Sequence, residues 1–124
     1  MSARITATGR AITVNRIRGL GTEPVHVGWG TGTVAPVDGD TALGTAAPEA
    51  RVTGTPSIVT TTTTNDTHRV VGTIAATAAR AITEVGVFDA ATAGNMFIRA
   101  TFPAINVVSG DSIQFTISGQ YLAP

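Results

Sequence analysis

Ser112-Ile113-Gln114-Phe115-Thr116-Ile117-Ser118-Gly119-Gln120-Tyr121 is the stretch that decides the fold class. Ile113, Phe115, Ile117, Gly119 and Tyr121 take the odd positions, and Ser112, Gln114, Thr116, Ser118 and Gln120 the even ones. A side-chain period of two with one apolar face describes a strand packed on one side and wet on the other. Working back from it, 95–102 and 81–89 read as two further strands, joined by turns at 90–94 and 109–111. Short strands at regular spacing with Gly and Asp turn signals predict an all-β chain, an antiparallel sandwich or barrel-like single domain.

Further upstream, Asn65-Asp66 marks a turn, and 67–77 is the expected antiparallel return, with Val70, Ile74 and Ala76 on one face. The Thr run 60–64 has high β propensity without an apolar face and reads as a solvated or interface-facing strand. Pro56 interrupts the β-rich segments 51–55 and 57–64 and points to a sheet edge or bulge. Asp40 caps one expected helical turn within 40–47, stopped by Gly44 and Pro48. Val25, Val27 and Trp29 alternate with His26 and Gly28 as a short strand. The segments 4–8 and 11–17 flank Gly9 and read as an opening hairpin or one bent strand. The chain thus divides into an extended N-terminal segment, 1–18, and a sandwich domain, 19–124.

Composition excludes more than it selects. At 124 residues the chain holds one modest core, filled mainly by Val, Ile and Ala, so burial against neighbours is expected to add to its stability. Eight acidic and eight basic residues cancel, and no basic stripe offers a nucleic-acid surface. All eight basic residues are Arg, which suits interfaces because its planar fork pairs bidentately and is weakly hydrated. The absence of Cys removes disulfides, thiolate nucleophiles and Cys-based metal sites. No apolar run approaches a bilayer span, so no membrane partner is expected. The opening Met1-Ser2-Ala3-Arg4 does not begin a signal peptide, and cytoplasmic synthesis is expected.

Chemistry-bearing patterns are few. His26 and His68 lie in strand patterns without the paired His or Glu that a metal or catalytic site needs, and read as surface residues. Gly28-Trp29-Gly30-Thr31-Gly32 lacks the Gly-Lys-Ser/Thr ending of a phosphate loop. Its glycines are expected to let the strand bend while Trp29 packs into the core or a subunit seam. Asp38 and Asp40 are a candidate Ca²⁺ pair with backbone carbonyls, although a solvated turn accounts for them as well. Asn65-Asp66-Thr67 matches a glycosylation sequon and means little without a secretory signal. Glu84 sits in an apolar strand between Ile82 and Val85 and therefore needs a cationic partner, with Arg69, Arg80 and Arg99 as candidates. The expected product is a structural or inter-subunit ion pair, with no enzyme and no cofactor.

Four stretches carry a resemblance: Gly28-Trp29-Gly30-Thr31-Gly32, Val59-Thr60-Thr61-Thr62-Thr63-Thr64-Asn65-Asp66-Thr67-His68-Arg69-Val70-Val71, Ile82-Thr83-Glu84-Val85-Gly86-Val87-Phe88-Asp89-Ala90 and Val108-Ser109-Gly110-Asp111-Ser112-Ile113-Gln114-Phe115-Thr116. The chain, from Ile5 to Tyr121, resembles small virion proteins of tailed bacteriophages, often labelled loosely as tail fibre or head decoration proteins. The resemblance implies a capsid decoration, or cement, protein: a homotrimer on the outer head surface, made in the host cytoplasm, that clamps the major capsid protein at capsomer junctions. Arg4, Arg10, Arg16 and Arg18 of the N-terminal segment are then the expected grip on a capsid or neighbouring subunit. Trp29, Glu84 and Arg99 are further interface candidates. The segment 82–89 is also similar to sheet-forming pieces of tail and baseplate modules, which keeps a tail role open. A carbohydrate-binding module is the third reading, thinly supported by one Trp and one Tyr.

Overall fold

The computed structural model describes residues 2–122. In chain order the elements are β1 (Ser2–Ile5), α1 (Ala7–Ile17), β2 (His26–Gly30), β3 (Val52–Thr53), β4 (Thr55–Val59), β5 (Thr67–Ala75), β6 (Arg80–Phe88), β7 (Met96–Val107) and β8 (Ser112–Gln120). They build two antiparallel sheets packed face to face. One is ordered β1-β7-β6-β2-β3 and the other β4-β5-β8. The all-β sandwich expected from the alternating pattern is the fold, with one helix added.

The core lies between the sheets. Val27, Trp29, Val85, Val87, Ile98 and Ala100 face inward from the larger sheet and meet Val70, Ile74, Phe115 and Ile117 from the smaller one. Trp29 and Phe115 touch edge to face across the gap, with ring centroids 6.3 Å apart. The alternation is borne out within β8, where Phe115, Ile117 and Gly119 are buried while Ser112, Gln114, Thr116 and Ser118 are exposed, but Tyr121, expected on the apolar face, lies beyond the strand and is exposed. Pro56 lies within β4, an edge strand, where a missing N–H costs least. Pro103 falls where β6 and β7 shift register between Ile82 and Glu84, beyond the reach of β1, and so interrupts no regular ladder.

Three expectations fail locally. Residues 7–17 form α1 rather than a strand or hairpin. Thr6 caps the helix, its Oγ1 accepting from the Gly9 N–H at 3.0 Å while donating to the Met96 carbonyl at 2.7 Å. Only Gly9 and Ile12 of α1 are buried. A Cβ on Gly9 would sit 2.1 Å from the Phe97 carbonyl oxygen, so the glycine is what lets the helix lie against β7. The Thr run 60–64 is a turn rather than a strand. The Asp66 carboxylate accepts from the N–H groups of Thr61, Thr62 and Thr63, which satisfies these amides locally and closes the turn against their strand preference. Asp40 caps no helical turn, because 40–47 is an irregular loop whose amides point elsewhere, as described next.

Candidate functional site

The outer face of the larger sheet, away from the sandwich core, carries the densest polar constellation. Alternation along β6 puts Val85 and Val87 inward, which turns Glu84 and Gly86 outward beneath the loop 31–47. Glu84 is nevertheless completely buried. Its Oε2 accepts from the N–H groups of Gly32 (2.7 Å) and Thr45 (2.8 Å), and its Oε1 from Gly44 N–H (2.8 Å) and Arg99 Nε (3.0 Å). Burial pushes the carboxyl pKa up, but the three backbone donors and Arg99 outweigh it, so the group lies below its ordinary value. The carboxylate is ionised and saturated, and it ties the loop to the sheet at three points.

Glycines make room for this tie. A Cβ on Gly30 would lie 2.6 Å from Glu84 Oε2, and one on Gly32 at 2.5 Å. Thr83 Oγ1 also donates to the Gly32 carbonyl at 2.7 Å, so Gly32 is gripped through both backbone groups. The Gly-Trp-Gly-Thr-Gly stretch is therefore built for close approach to Glu84 as much as for bending. Trp29, one residue earlier, points to the other face and is 1% exposed in the core.

Of the three cationic candidates, Arg99 is the partner of Glu84. Its Nη1 donates to Asp40 Oδ2 at 3.1 Å. Its Nη2 lies 3.0 Å from Glu84 Oε1 but is too poorly aligned to hydrogen-bond it. Arg80 instead pairs with Glu49, and Arg69, in the smaller sheet, donates to Ser118 Oγ. Arg4 sits opposite Arg99 in the β1–β7 register, and its charge is met by Asp38 at 3.0 Å. Arg10 reaches the other oxygen of Asp38 at 3.4 Å. Arg4, Arg10 and Arg99 thus balance Asp38, Asp40 and Glu84 in one strip. The acids considered for Ca²⁺ are spent on arginines, and no cluster among the described residues suits a metal ion.

The remaining candidates lie apart. Arg16 donates to the Gly21 carbonyl at 3.1 Å and Arg18 is exposed at the end of α1. Met1 of the expected N-terminal grip lies outside the described residues. Both histidines are half-buried rather than ordinary surface groups. His68 stacks edge-on to Phe97 at 5.6 Å, with Nε2 3.1 Å from the Pro24 carbonyl, and His26 Nδ1 is buried without a hydrogen-bond partner.

Glu49 went unnoticed in the sequence. It accepts from Trp29 Nε1 (2.9 Å), from Thr77 through both N–H and Oγ1 (3.1 and 2.7 Å), and from Arg80 Nε (2.9 Å). Burial pushes its pKa up, but these donors more than offset that and bring it down to about 2. Its neighbours Pro48 and Ala50 show no pattern, and nothing short of the fold would have found it. A second apolar layer was equally silent: Arg51 lies 3.5 Å over the Phe88 ring, and Gly86 is crowded by Leu43, Phe88 and Met96.

Among the described residues no helix is long and apolar enough to cross a membrane. No family model, curated protein or solved structure matches this chain.

Proposed function

We propose that this chain is a non-enzymatic virion structural protein of tailed bacteriophages: a decoration, or cement, protein that binds the outside of the head and joins neighbouring copies of the major capsid protein. The resemblance of its four stretches supplies the lineage. The observation that carries the role is a division of labour among side chains. The buried acids and their arginines are spent tying the chain's own loops to its sheets. Meanwhile Ile17, Val34, Ile58 and Leu122 stand 70 to 78% exposed, on the helix end, the loop 31–47, the β4 edge and the C-terminal end. Apolar side chains presented in several directions on a chain of zero net charge suit multi-sided contact with other proteins. Binding only the assembled lattice would stabilise it by mass action, without any chemistry.

Copy number in purified virions, measured against the major capsid protein, tests the reading. A near-stoichiometric ratio together with binding to emptied heads is the expected result. A handful of copies per particle would place the protein in the tail or baseplate and overturn the cement role.

A further inference from the structure

The start of β5, the start of β7 and the end of β8 lie at the same end of the sandwich, and α1 packs there against β7 at Gly9. Residues 18–25 then carry the chain from the helix to β2. Between helix, connector and sheets lies a cleft of about 280 Å³. Ile12, Pro24 and Phe97, all buried, give it apolar walls. Thr13, Arg16, Glu23, His68 and Tyr121 supply its polar groups.

The walls are fixed by the fold itself. Gly19 and Gly21 take positive φ and turn the connector back onto the helix. Gly19 N–H donates to the Arg16 carbonyl at 3.0 Å, and Leu20 N–H to the Asn15 carbonyl at 2.8 Å. Arg16 Nη1 holds the Gly21 carbonyl. On the other side His68 Nε2 donates to the Pro24 carbonyl while its ring meets Phe97 edge-on. Thr13 Oγ1 and Tyr121 OH share a hydrogen bond that joins the helix to the chain leaving β8. A site assembled in this way loses little entropy when it is filled.

Unlike the acids of the larger sheet, the polar groups of the cleft are not spent on the chain. Glu23 takes part in no ion pair among the described residues. Arg16 uses Nη1 alone, which leaves Nε and Nη2 as donors. A carbonyl only accepts, so Nε2 of His68 carries the hydrogen, and Nδ1 of the neutral ring is an acceptor. Tyr121 is 41% exposed and presents its ring to solvent, whereas Trp29 is buried in the core and presents none.

We infer that this cleft binds a single sugar ring. One cation and one anion balance, so the complement is neutral overall, and the mixture of donors and acceptors calls for several hydroxyls. A pyranose supplies both. Its hydroxyls donate to the Glu23 carboxylate and to His68 Nδ1 and accept from Arg16, bonds strengthened by the two charges. Its C–H groups lie against the aromatic and aliphatic walls, where the electron-rich face of a ring such as Tyr121 favours them. The volume is at the lower limit of small-molecule sites, enough for one ring and too small for a nucleotide. An anion such as a phosphate ester would meet the Glu23 carboxylate, and a purely apolar ligand would leave both charges desolvated without partners. The site is read on the purified chain and the virion role on particles, so either can fail without the other.

Titration of the isotope-labelled chain with glucose, galactose, mannose and N-acetylglucosamine, followed by amide chemical shifts, tests the site. At least one of these sugars should shift the amides of Arg16, Glu23, His68 and Tyr121 saturably. A dissociation constant in the millimolar range is expected for so small a contact. Glu23 is exposed and unpaired, so Glu23→Gln should leave the rest of the spectrum unchanged while weakening the sugar about tenfold. Glycine, a zwitterion without hydroxyls, should leave the cleft amides unmoved. Three results would overturn the assignment: no saturable shift with any of the four sugars, cleft shifts with glycine instead, or sugar binding indifferent to Glu23→Gln.

Discussion

The segment 67–120 and the segment 2–51 are held together by different physics. From β5 to β8 the chain is a run of long antiparallel strands whose alternating apolar side chains fill the space between the sheets. From β1 to the start of β3, two short strands and one helix are linked by irregular chain. Much of that chain is fastened through single polar side chains: Thr6 on the Met96 carbonyl, Glu49 on Trp29 and Arg80, and Glu84 on three loop amides. The first region spreads its stability over many weak contacts, whereas the second concentrates it in a few atoms. A buried tie of this kind is unforgiving, because removing one partner leaves the others desolvated and unpaired.

The largest effects should separate the two regions by pattern rather than by size. Glu84→Ala strands Arg99 in the interior with the amides of Gly32, Gly44 and Thr45, and should cost about 3–5 kcal/mol. Ile74→Ala opens a cavity between the sheets and should cost about 2–5 kcal/mol. Amide hydrogen exchange tells them apart. Glu84→Ala should expose the loop 31–47 first, while Ile74→Ala should raise exchange across β5 and β8 together. If both variants opened the molecule uniformly, the distinction would be lost.

Acid should act on the polar region before the apolar one. Glu49 has its pKa depressed from 4.5 to about 2, and Glu84 is also held below its ordinary value. A depressed carboxylate contributes stability that is fully present above its unfolded pKa and is lost as pH falls through the folded one. Thermal midpoints should therefore hold level down to about pH 4.5 and decline from there towards about pH 2. Glu49→Gln should flatten that decline.

The smallest effect belongs to Asp38. Its bridges to Arg4 and Arg10 join side chains that are each 53% exposed, and solvent screening leaves such pairs little net effect on stability. Asp38→Ala should leave the urea midpoint nearly unchanged. A loss on the scale of Glu84→Ala would mean that the strip of arginines and acids acts as one network.

The two regions also differ in how far they could be read in advance. The odd–even pattern of 112–120, the turns at 90–94 and 109–111, and Pro56 at an edge all survive in the structure, because each reports a constraint acting within a few residues. Gly94 and Gly110 do sit at positive φ, as tight turns require. Residues 7–17 misled because Ile12, Thr13, Val14 and Ile17 favour a strand locally. The helix is imposed by the Thr6 cap and by contact of Gly9 with β7, some 90 residues away in sequence. The need of Glu84 for a cation was legible from its apolar neighbours, but the choice of Arg99 over Arg69 or Arg80 was not.

By itself the sequence determined the fold class, the inward faces of β5 and β8, and the demand for a partner at Glu84, since side-chain period, turn chemistry and the cost of burying a charge are local properties. Tertiary structure alone decided the helix, the partner of each buried acid, the role of Glu49, and the unequal width of the two sheets. Those depend on which distant segments share a face, and the free energy of satisfying buried polar groups is assigned only once the sheets have packed.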